Sequence, residues 1–97
     1  MRFAWDPEKA ESNVPKHGVA FEEAVTVFAD PLALIVVDAE HAERSIVTGQ
    51  SSEARVLVTV FVATLRKGDD DEDVTRIISA RRATKQERRR YEEGEAT

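Results

Sequence analysis

The first polar and apolar positions of the chain predict a helix that begins at Asp6-Pro7-Glu8. Aspartate is a good N-cap, proline suits the first helical position, and glutamate complements the helix dipole. We expect this helix to continue to about His17 and to end at Gly18, which can adopt the left-handed conformation just beyond a helix.

A second helix is predicted over residues 21–29. Four apolar residues recur there at i, i+3, i+4 and i+7, the spacing of one buried helix face: Phe21, Ala24, Val25 and Phe28. The Asp30-Pro31 pair would end it, because proline disfavours helical geometry in the preceding residue.

The hydrophobic period then changes from helical to extended. Runs rich in β-branched residues at 34–37, 45–48, 56–62 and 74–80 predict four strands. The connections are too short for crossover helices, so neighbouring strands should pair antiparallel as a meander.

The chain closes with another predicted helix. Thr84 and Glu87 have the spacing of a capping box, and Gly94 can end the helix. The predicted order is α-α-β-β-β-β-α, which is an α+β fold with two N-terminal helices, a four-stranded antiparallel sheet and a C-terminal helix. Residues 1–97 are too few for a second core, so we expect a single domain.

Composition restricts the chemistry. Without cysteine there is no disulfide or thiolate metal site, and two histidines are too few for zinc without carboxylates, so no metal and no cofactor are expected. The N-terminus lacks the apolar run of a signal peptide, and no stretch is long enough to span a membrane. The sequence therefore predicts a cytoplasmic protein that does not contact a membrane.

Charge is distributed unevenly about a net value of −5. Residues 1–75 carry 7 Lys and Arg against 15 Asp and Glu, whereas residues 76–91 carry 7 Lys and Arg against the single acid Glu87. A basic block on an acidic body indicates either an anion-binding surface or a helix whose charges only keep it soluble.

The last helix lacks an apolar face. Lys85, Arg88, Arg89 and Glu92 form one stripe at helical spacing. Such a helix is held by intrahelical pairs such as Arg88–Glu92 and Arg89–Glu93, or it serves a binding surface, and both can be true.

Arginines also cluster near the end of the fourth predicted strand. If strand alternation persists, Arg76 and Arg82 point to one face of the sheet and Arg81 to the other. Their guanidinium groups could bind phosphate or could pair with acids, for which we consider Glu22, Glu23 and Glu43.

Three segments resemble the BrnT toxin family: WDPEKAESNVPKHGVAFEEA, VFADPLAL and RIISARRATKQERRRYEE. The resemblance runs from end to end of the chain. It implies a fold similar to the RelE-type ribonucleases and an RNA substrate whose cleavage inhibits translation. It also implies neutralisation by a BrnA-type ribbon-helix-helix antitoxin, as two toxins with two antitoxins. The complex would repress its own operon, with operator DNA bound only through the antitoxin.

The chain departs from the family pattern in two places. Pro15 lies inside the first motif, and the acidic run 69–73 looks like an insertion between strands three and four. The insertion obscures the alignment of Arg66, which resembles a basic residue that the family carries at the end of strand three.

Metal-free RNA cleavage uses the ribose 2′-OH as nucleophile, so the enzyme must transfer protons and stabilise a charged phosphorane. Candidates for charge stabilisation are Arg66, Arg81 and Arg82, and candidates for proton transfer are Lys16 and His17. His17 has the alternative of being a cation at a helix C-terminus.

The predicted RNA-binding residues are Lys85, Arg88 and Arg89. We interpret Glu87 as a helix cap rather than a general base, and we expect Trp5 in the core or in an interface. Asn13 matches the family motif but could equally be a helix-surface residue.

Two other functions stay open. The chain could be a non-catalytic interaction module whose basic helix docks on an acidic partner or on DNA, with binding that weakens with salt. It could also be a toxin that has lost catalysis and acts only as a co-repressor with its antitoxin.

Overall fold

The computed structural model describes residues 2–65 and 73–94. Its strands are β1 (Arg2–Trp5), β2 (Leu34–Val37), β3 (Ser45–Gln50), β4 (Val56–Leu65) and β5 (Asp73–Arg82). Its α-helices are α1 (Pro7–His17), α2 (Phe21–Ala24) and α3 (Lys85–Glu93). The strands form one sheet in the order β1-β5-β4-β3-β2.

The α+β class is confirmed, but the prediction of four antiparallel strands is incomplete. Strands β2 to β5 form the expected antiparallel meander. A fifth strand, β1, pairs with β5 in parallel, with Arg2 opposite Val74 and Trp5 opposite Ile77. Four residues before a helix carry no periodicity of their own, so only their distant partner strand defines them as a strand.

The first helix forms as predicted. The Asp6 side chain accepts a hydrogen bond of 2.9 Å from the Glu8 N–H, and Gly18 ends the helix with φ of 69°. Pro15 lies inside α1, yet the helix continues to His17.

The second predicted helix differs in detail. Residues 21–29 are helical throughout, but only Phe21–Ala24 form an α-helix, and Val25–Ala29 form a 3₁₀-helix. The Thr26 hydroxyl donates a hydrogen bond of 2.6 Å to the Glu23 carbonyl, and the Ser52 N–H donates one of 2.8 Å to the Thr26 oxygen. Contacts with the β3–β4 turn thus accompany the tighter winding.

The hydrophobic core lies between these helices and one face of the sheet. Its large, fully buried residues come from both layers: Val19, Phe21, Val27, Val47, Leu57 and Ile77. The Trp5 ring meets the Phe21 ring edge-on, with centroids 5.8 Å apart. Trp5 therefore belongs to the margin of the core, one of the two positions expected for it.

Asn13 extends the sheet where β1 stops. Its Nδ2 donates to the carbonyls of Val19 and Ala80, each at 2.8 Å, and its Oδ1 accepts from the Ala80 N–H at 3.4 Å. The amide thus occupies both backbone groups of Ala80 beyond the last β1–β5 pair. This buried role replaces the helix-surface interpretation, because an amide carries both a donor and an acceptor.

A buried ion pair joins the helical layer to the β3–β4 hairpin. Arg55 Nε donates to Glu23 Oε2 at 2.9 Å, its Nη2 donates to the other carboxylate oxygen, and the Ser51 hydroxyl donates to Oε2 at 2.7 Å. The hydrogen bond from Arg55 lowers the pKa of Glu23, against the opposing effect of burial. Glu23 is consequently committed to Arg55 and does not pair with Arg81 or Arg82.

In the part of the chain that the structure describes, no helix is long and apolar enough to cross a lipid bilayer.

Candidate functional site

The face of the sheet opposite the core carries a shallow pocket of about 280 Å³. Aliphatic and hydroxyl side chains of the four meander strands form its floor, and α3 forms one side. The lining residues are Leu34, Val36, Ile46, Thr48, Val58, Val60, Ser79, Arg81, Glu87 and Arg90. Cations beside an open apolar floor can bind the phosphate of a ligand whose body rests on the sheet.

Arg81 is fixed at the side of this pocket by Glu87. Nη1 donates to Oε1 at 2.7 Å and Nη2 to Oε2 at 2.8 Å, and Nη1 also donates to the carbonyl of Arg82 at 3.3 Å. The bidentate hydrogen bond from Arg81 lowers the pKa of Glu87 to about 2, although partial burial opposes the shift. The same contact raises the pKa of Arg81, so both groups stay ionised.

Glu87 also confirms the predicted capping box. Its Oε1 accepts from the Thr84 N–H at 2.8 Å, while the Thr84 hydroxyl accepts from the Glu87 N–H at 3.1 Å. One carboxylate therefore caps α3 and orients Arg81. Sequence spacing revealed the first role, but the second needed the path of β5 into α3.

The pair with Glu87 leaves part of the Arg81 guanidinium available. A guanidinium has five N–H donors, and three of those on Arg81 are engaged with Glu87 and the Arg82 carbonyl. Arg90 lines the same pocket, and its side chain makes no hydrogen bond or ion pair with any residue in 2–65 or 73–94. The pocket therefore offers an anion the guanidinium of Arg90 and the remaining donors of Arg81, whose charge Glu87 balances.

The strand alternation expected for the arginines does not persist. A β-bulge interrupts the β4–β5 register, where Val60 faces Ser79 but the next residue, Phe61, faces Ile77. The extra residue puts Arg76, opposite Val62, on the same face of the sheet as Arg81, although it does not line the pocket. Arg82 lies on the core face, opposite buried Leu57. A bulge changes which side chains share a face and is not visible in the hydrophobic pattern.

Arg82, Lys16 and His17 lie toward one end of the sheet. Arg55 Nη2 donates to the carbonyl of Gly18 at 3.2 Å, immediately after α1. The residue after Arg55 is Val56, whose carbonyl accepts a hydrogen bond of 2.9 Å from the N–H of Ala83, the residue that follows β5. The ends of α1 and β5 are thus neighbours, although Arg81 points to the other face of the sheet.

The predicted RNA-binding residues Lys85, Arg88 and Arg89 lie exposed on α3, which has no buried residue. The suggested pairs Arg88–Glu92 and Arg89–Glu93 are not among the ion pairs of the described residues. These cations are therefore available to a partner or to RNA.

Tyr91 holds the far end of α3, a contact that sequence reasoning missed. Its hydroxyl donates a short hydrogen bond to Asp30 Oδ2, which also accepts from the Gln50 N–H at 2.8 Å. Burial, together with the hydrogen bond to Asp30, raises the pKa of Tyr91 to about 12. The only available signal was that Tyr91 is the one aromatic residue on an otherwise polar helix.

Two remaining expectations concern Arg66 and metal binding. Arg66 and most of the acidic run 69–73 lie outside the described residues. Within 2–65 and 73–94, no group of three or more His, Asp or Glu side chains is placed to hold a metal ion.

Comparison with known proteins gives two matches that agree. The model of the family described as "Ribonuclease toxin, BrnT, of type II toxin-antitoxin system" matches residues 5–87. The 1.1 Å crystal structure of the Brucella abortus ribonuclease toxin BrnT has a similar fold, with a TM-score of 0.65 and 23% identity over 88% of this chain and 99% of that one. A search of curated proteins gave no match. Because the family model spans most of the sequence, this chain belongs to the BrnT family of ribonuclease toxins of type II toxin–antitoxin systems.

Proposed function

We propose that the protein is an endoribonuclease that cleaves RNA without a metal ion and thereby inhibits translation. The observation that carries the proposal is Arg81, which Glu87 holds with donors to spare beside Arg90 on an open sheet face. Family membership supplies the reaction class, and this arrangement supplies a site for the phosphate.

Cleavage would proceed by attack of the ribose 2′-OH on the adjacent phosphorus. Negative charge then accumulates on the phosphorane, and prepositioned cations stabilise it more than they stabilise the ground state. Arg81 is suited to this role because its ion pair fixes its orientation before substrate binds. Arg82 would add charge to the path of the backbone. The family resemblance also proposes Arg66, which lies outside the described residues.

Glu87 would act through Arg81 and not as a general base. A carboxylate with a pKa of about 2 is a weak proton acceptor near neutral pH. We assign proton transfer to Lys16 and His17, because the end of α1 lies beside the end of β5. Since Arg81 points to the other face of the sheet, the RNA backbone would have to bend around this end of the sheet to contact both groups. His17 would act as the general acid that protonates the 5′-oxygen leaving group.

RNA on this route would cross the end of the sheet between α1 and α3. Lys85, Arg88 and Arg89 would hold flanking phosphates, because they are exposed and have no ion-pair partner among the described residues. Such contacts weaken as salt displaces the protein from the phosphates.

The test is RNA cleavage by purified, antitoxin-free, folded protein in excess chelator. We expect cleavage by the wild type and a loss of about 10²–10³-fold in Arg81→Ala, the effect of removing one donor to a developing oxyanion. Arg82→Ala and His17→Ala should also lower turnover, and Glu87→Gln should lower it less than Arg81→Ala because the cation is retained.

Arg44→Ala is the matched control, since it removes a cation from the β2–β3 turn and should leave cleavage unchanged. Variants are compared only after their thermal unfolding is shown to resemble that of the wild type. Intact RNA after incubation with folded wild-type protein would refute the proposal. Salt-dependent RNA or DNA binding without cleavage would instead favour the non-catalytic or co-repressor function.

A type II toxin implies an antitoxin partner. We infer that this partner is a BrnA-type ribbon-helix-helix protein, that two toxins assemble with two antitoxins, and that the complex represses its own operon from the cytoplasm. Co-purification followed by mass measurement and operator binding, with and without the toxin, tests these points together.

A further inference from the structure

The outer edge of the sheet exposes an apolar strand. β2 is last in the strand order and pairs only with β3. Ile35 is 57% exposed and Val37 66% exposed, and in the preceding turn Leu32 is 69% exposed. We call the strand Leu34–Val37 the β2 edge.

The backbone of the β2 edge is also only partly used. In an antiparallel pair, alternate residues direct their N–H and C=O groups to the neighbouring strand, and the others face outward. Isolated proteins usually protect such an edge with charge, proline or a bulge. The β2 edge instead reads Leu-Ile-Val-Val, a sequence well suited to accept another strand.

Acidic residues lie at both ends of this apolar strand. Asp30 precedes it, and Asp38, Glu40 and Glu43 follow it, with Arg44 as the one Lys or Arg in 38–44. Burial alone would raise the pKa of Asp30, but hydrogen bonds from the Gln50 N–H, the Tyr91 hydroxyl and the Leu32 N–H together lower it. Asp30 therefore keeps its negative charge, although its oxygens are engaged within the protein. An incoming segment therefore meets negative charge on either side of an apolar centre.

This charge pattern disfavours a second copy of the chain. Two β2 edges related by a two-fold axis would pair antiparallel. Residues 38–43 of each copy would then lie toward Asp30 of the other, which places acid against acid. A segment with basic residues at its ends would instead complement both flanks.

We propose that the β2 edge is a docking site for the antitoxin, which adds an extended apolar segment flanked by lysine or arginine as a sixth strand. The proposal rests on the antitoxin partner inferred above, but not on RNA cleavage. Backbone hydrogen bonds would supply affinity, and the two faces of β2 would select alternate side chains. A strand added at the β2 edge would leave the cationic side chains of α3 uncovered.

The first experiment compares hydrogen exchange in the free protein and in its complex with the co-expressed antitoxin. We expect amides in 34–37 to gain protection in the complex. Ile35→Lys and Val37→Lys should each weaken binding by about tenfold or more, because they place a charge in an apolar contact. The matched control is Val14→Lys on α1, which changes a valine that is 47% exposed and should leave affinity unchanged.

A second experiment tests the charge pattern with synthetic peptides that carry one alternating Val/Thr core and either lysine or glutamate ends. The lysine peptide should bind and protect 34–37. The glutamate peptide and an N-methylated lysine peptide should not, since the first meets like charge and the second cannot complete the ladder.

Protection confined to other segments of the complex would overturn the proposal. So would a free protein that dimerises in light scattering and becomes monomeric in Ile35→Lys, because a second copy would then occupy the edge. RNA cleavage by free Ile35→Lys should equal that of the wild type, so a failure of the docking proposal is distinguishable from a failure of the nuclease proposal.

Discussion

The two faces of the sheet are covered in different ways. On one face, α2 and the 3₁₀-helix bury Phe21, Ala24 and Val27 completely against the strands. On the other face, α3 buries no residue and is held by Glu87 on Arg81 near its start and by Tyr91 on Asp30 near its end. The first attachment is mainly hydrophobic, whereas the second depends on polar contacts.

The two faces therefore contribute differently, one mainly to the stability of the fold and the other to binding. Each buried aliphatic or aromatic side chain contributes about 1.5–3 kcal/mol, whereas a partly exposed ion pair contributes at most about 1 kcal/mol. The face of the sheet that packs against α2 and the 3₁₀-helix therefore accounts for most of the folding free energy. The α3 face can carry unneutralised arginines because little of the fold depends on it.

Phe21→Ala should have the largest effect and tests the hydrophobic attachment of the helices to the core face of the sheet. Removing a fully buried ring should lower the free energy of unfolding by about 3–5 kcal/mol. Denaturant unfolding followed by the fluorescence of Trp5, the one tryptophan, measures the loss, since the two rings are in contact. Leu32→Ala, at a residue 69% exposed, should change it by less than about 0.5 kcal/mol. Similar losses in the two variants would show that the assignment of the core is wrong.

Glu23→Gln tests the one charged residue that is buried in the described part of the chain. It leaves Arg55 without its carboxylate and should cost about 1.5–3 kcal/mol, the range for hydrogen bonds to charged groups. Glu22→Gln, at an exposed neighbour, is the control for altered charge. Equal unfolding midpoints for the two variants in urea would contradict a stabilising role for the ion pair.

The attachment of α3 at its start should depend on acid. Glu87 has a pKa of about 2 when folded against an ordinary value of 4.5, so it binds a proton more readily when unfolded. Its stabilisation is complete above about pH 4.5 and is lost as the pH falls toward 2. The lowered pKa of Glu23 also makes the protein less stable in acid. The measurement is therefore the difference in free energy of unfolding between the wild type and Glu87→Gln, followed against pH. That difference, about 1 kcal/mol at neutral pH, should shrink below pH 4.5. A constant difference would contradict this assignment.

Tyr91→Phe should give the smallest and most local effect. It removes the hydrogen bond to Asp30 at a cost of about 0.5–1 kcal/mol. Amide exchange in residues 88–93 should accelerate, while exchange in β4 and β5 stays unchanged. Faster exchange throughout the sheet would show that α3 is part of the cooperative core, and the contrast between the faces would fail.

Local chemistry predicted several elements closely. Asp6, Pro7 and Gly18 define the bounds of α1, and Thr84 with Glu87 defines the start of α3, because a cap is made by residues near in sequence. The apolar run 34–37 gave β2 without error. Family motifs gave the reaction class, which no spacing of acids or bases in this chain shows by itself.

Tertiary structure decided the contacts between residues that are far apart along the chain. Two such contacts are the pairing of β1 with β5 and the ion pair of Glu23 with Arg55, which join segments whose sequences carry no sign of each other. The bulge in β5, which puts Arg76 and Arg81 on one face of the sheet, likewise depends on the pairing with β4. Strand partners and side-chain partners minimise the energy of the whole packed chain. The sequence by itself therefore determined the elements and their caps, and only the fold determined which arginines are occupied and which are available to a phosphate.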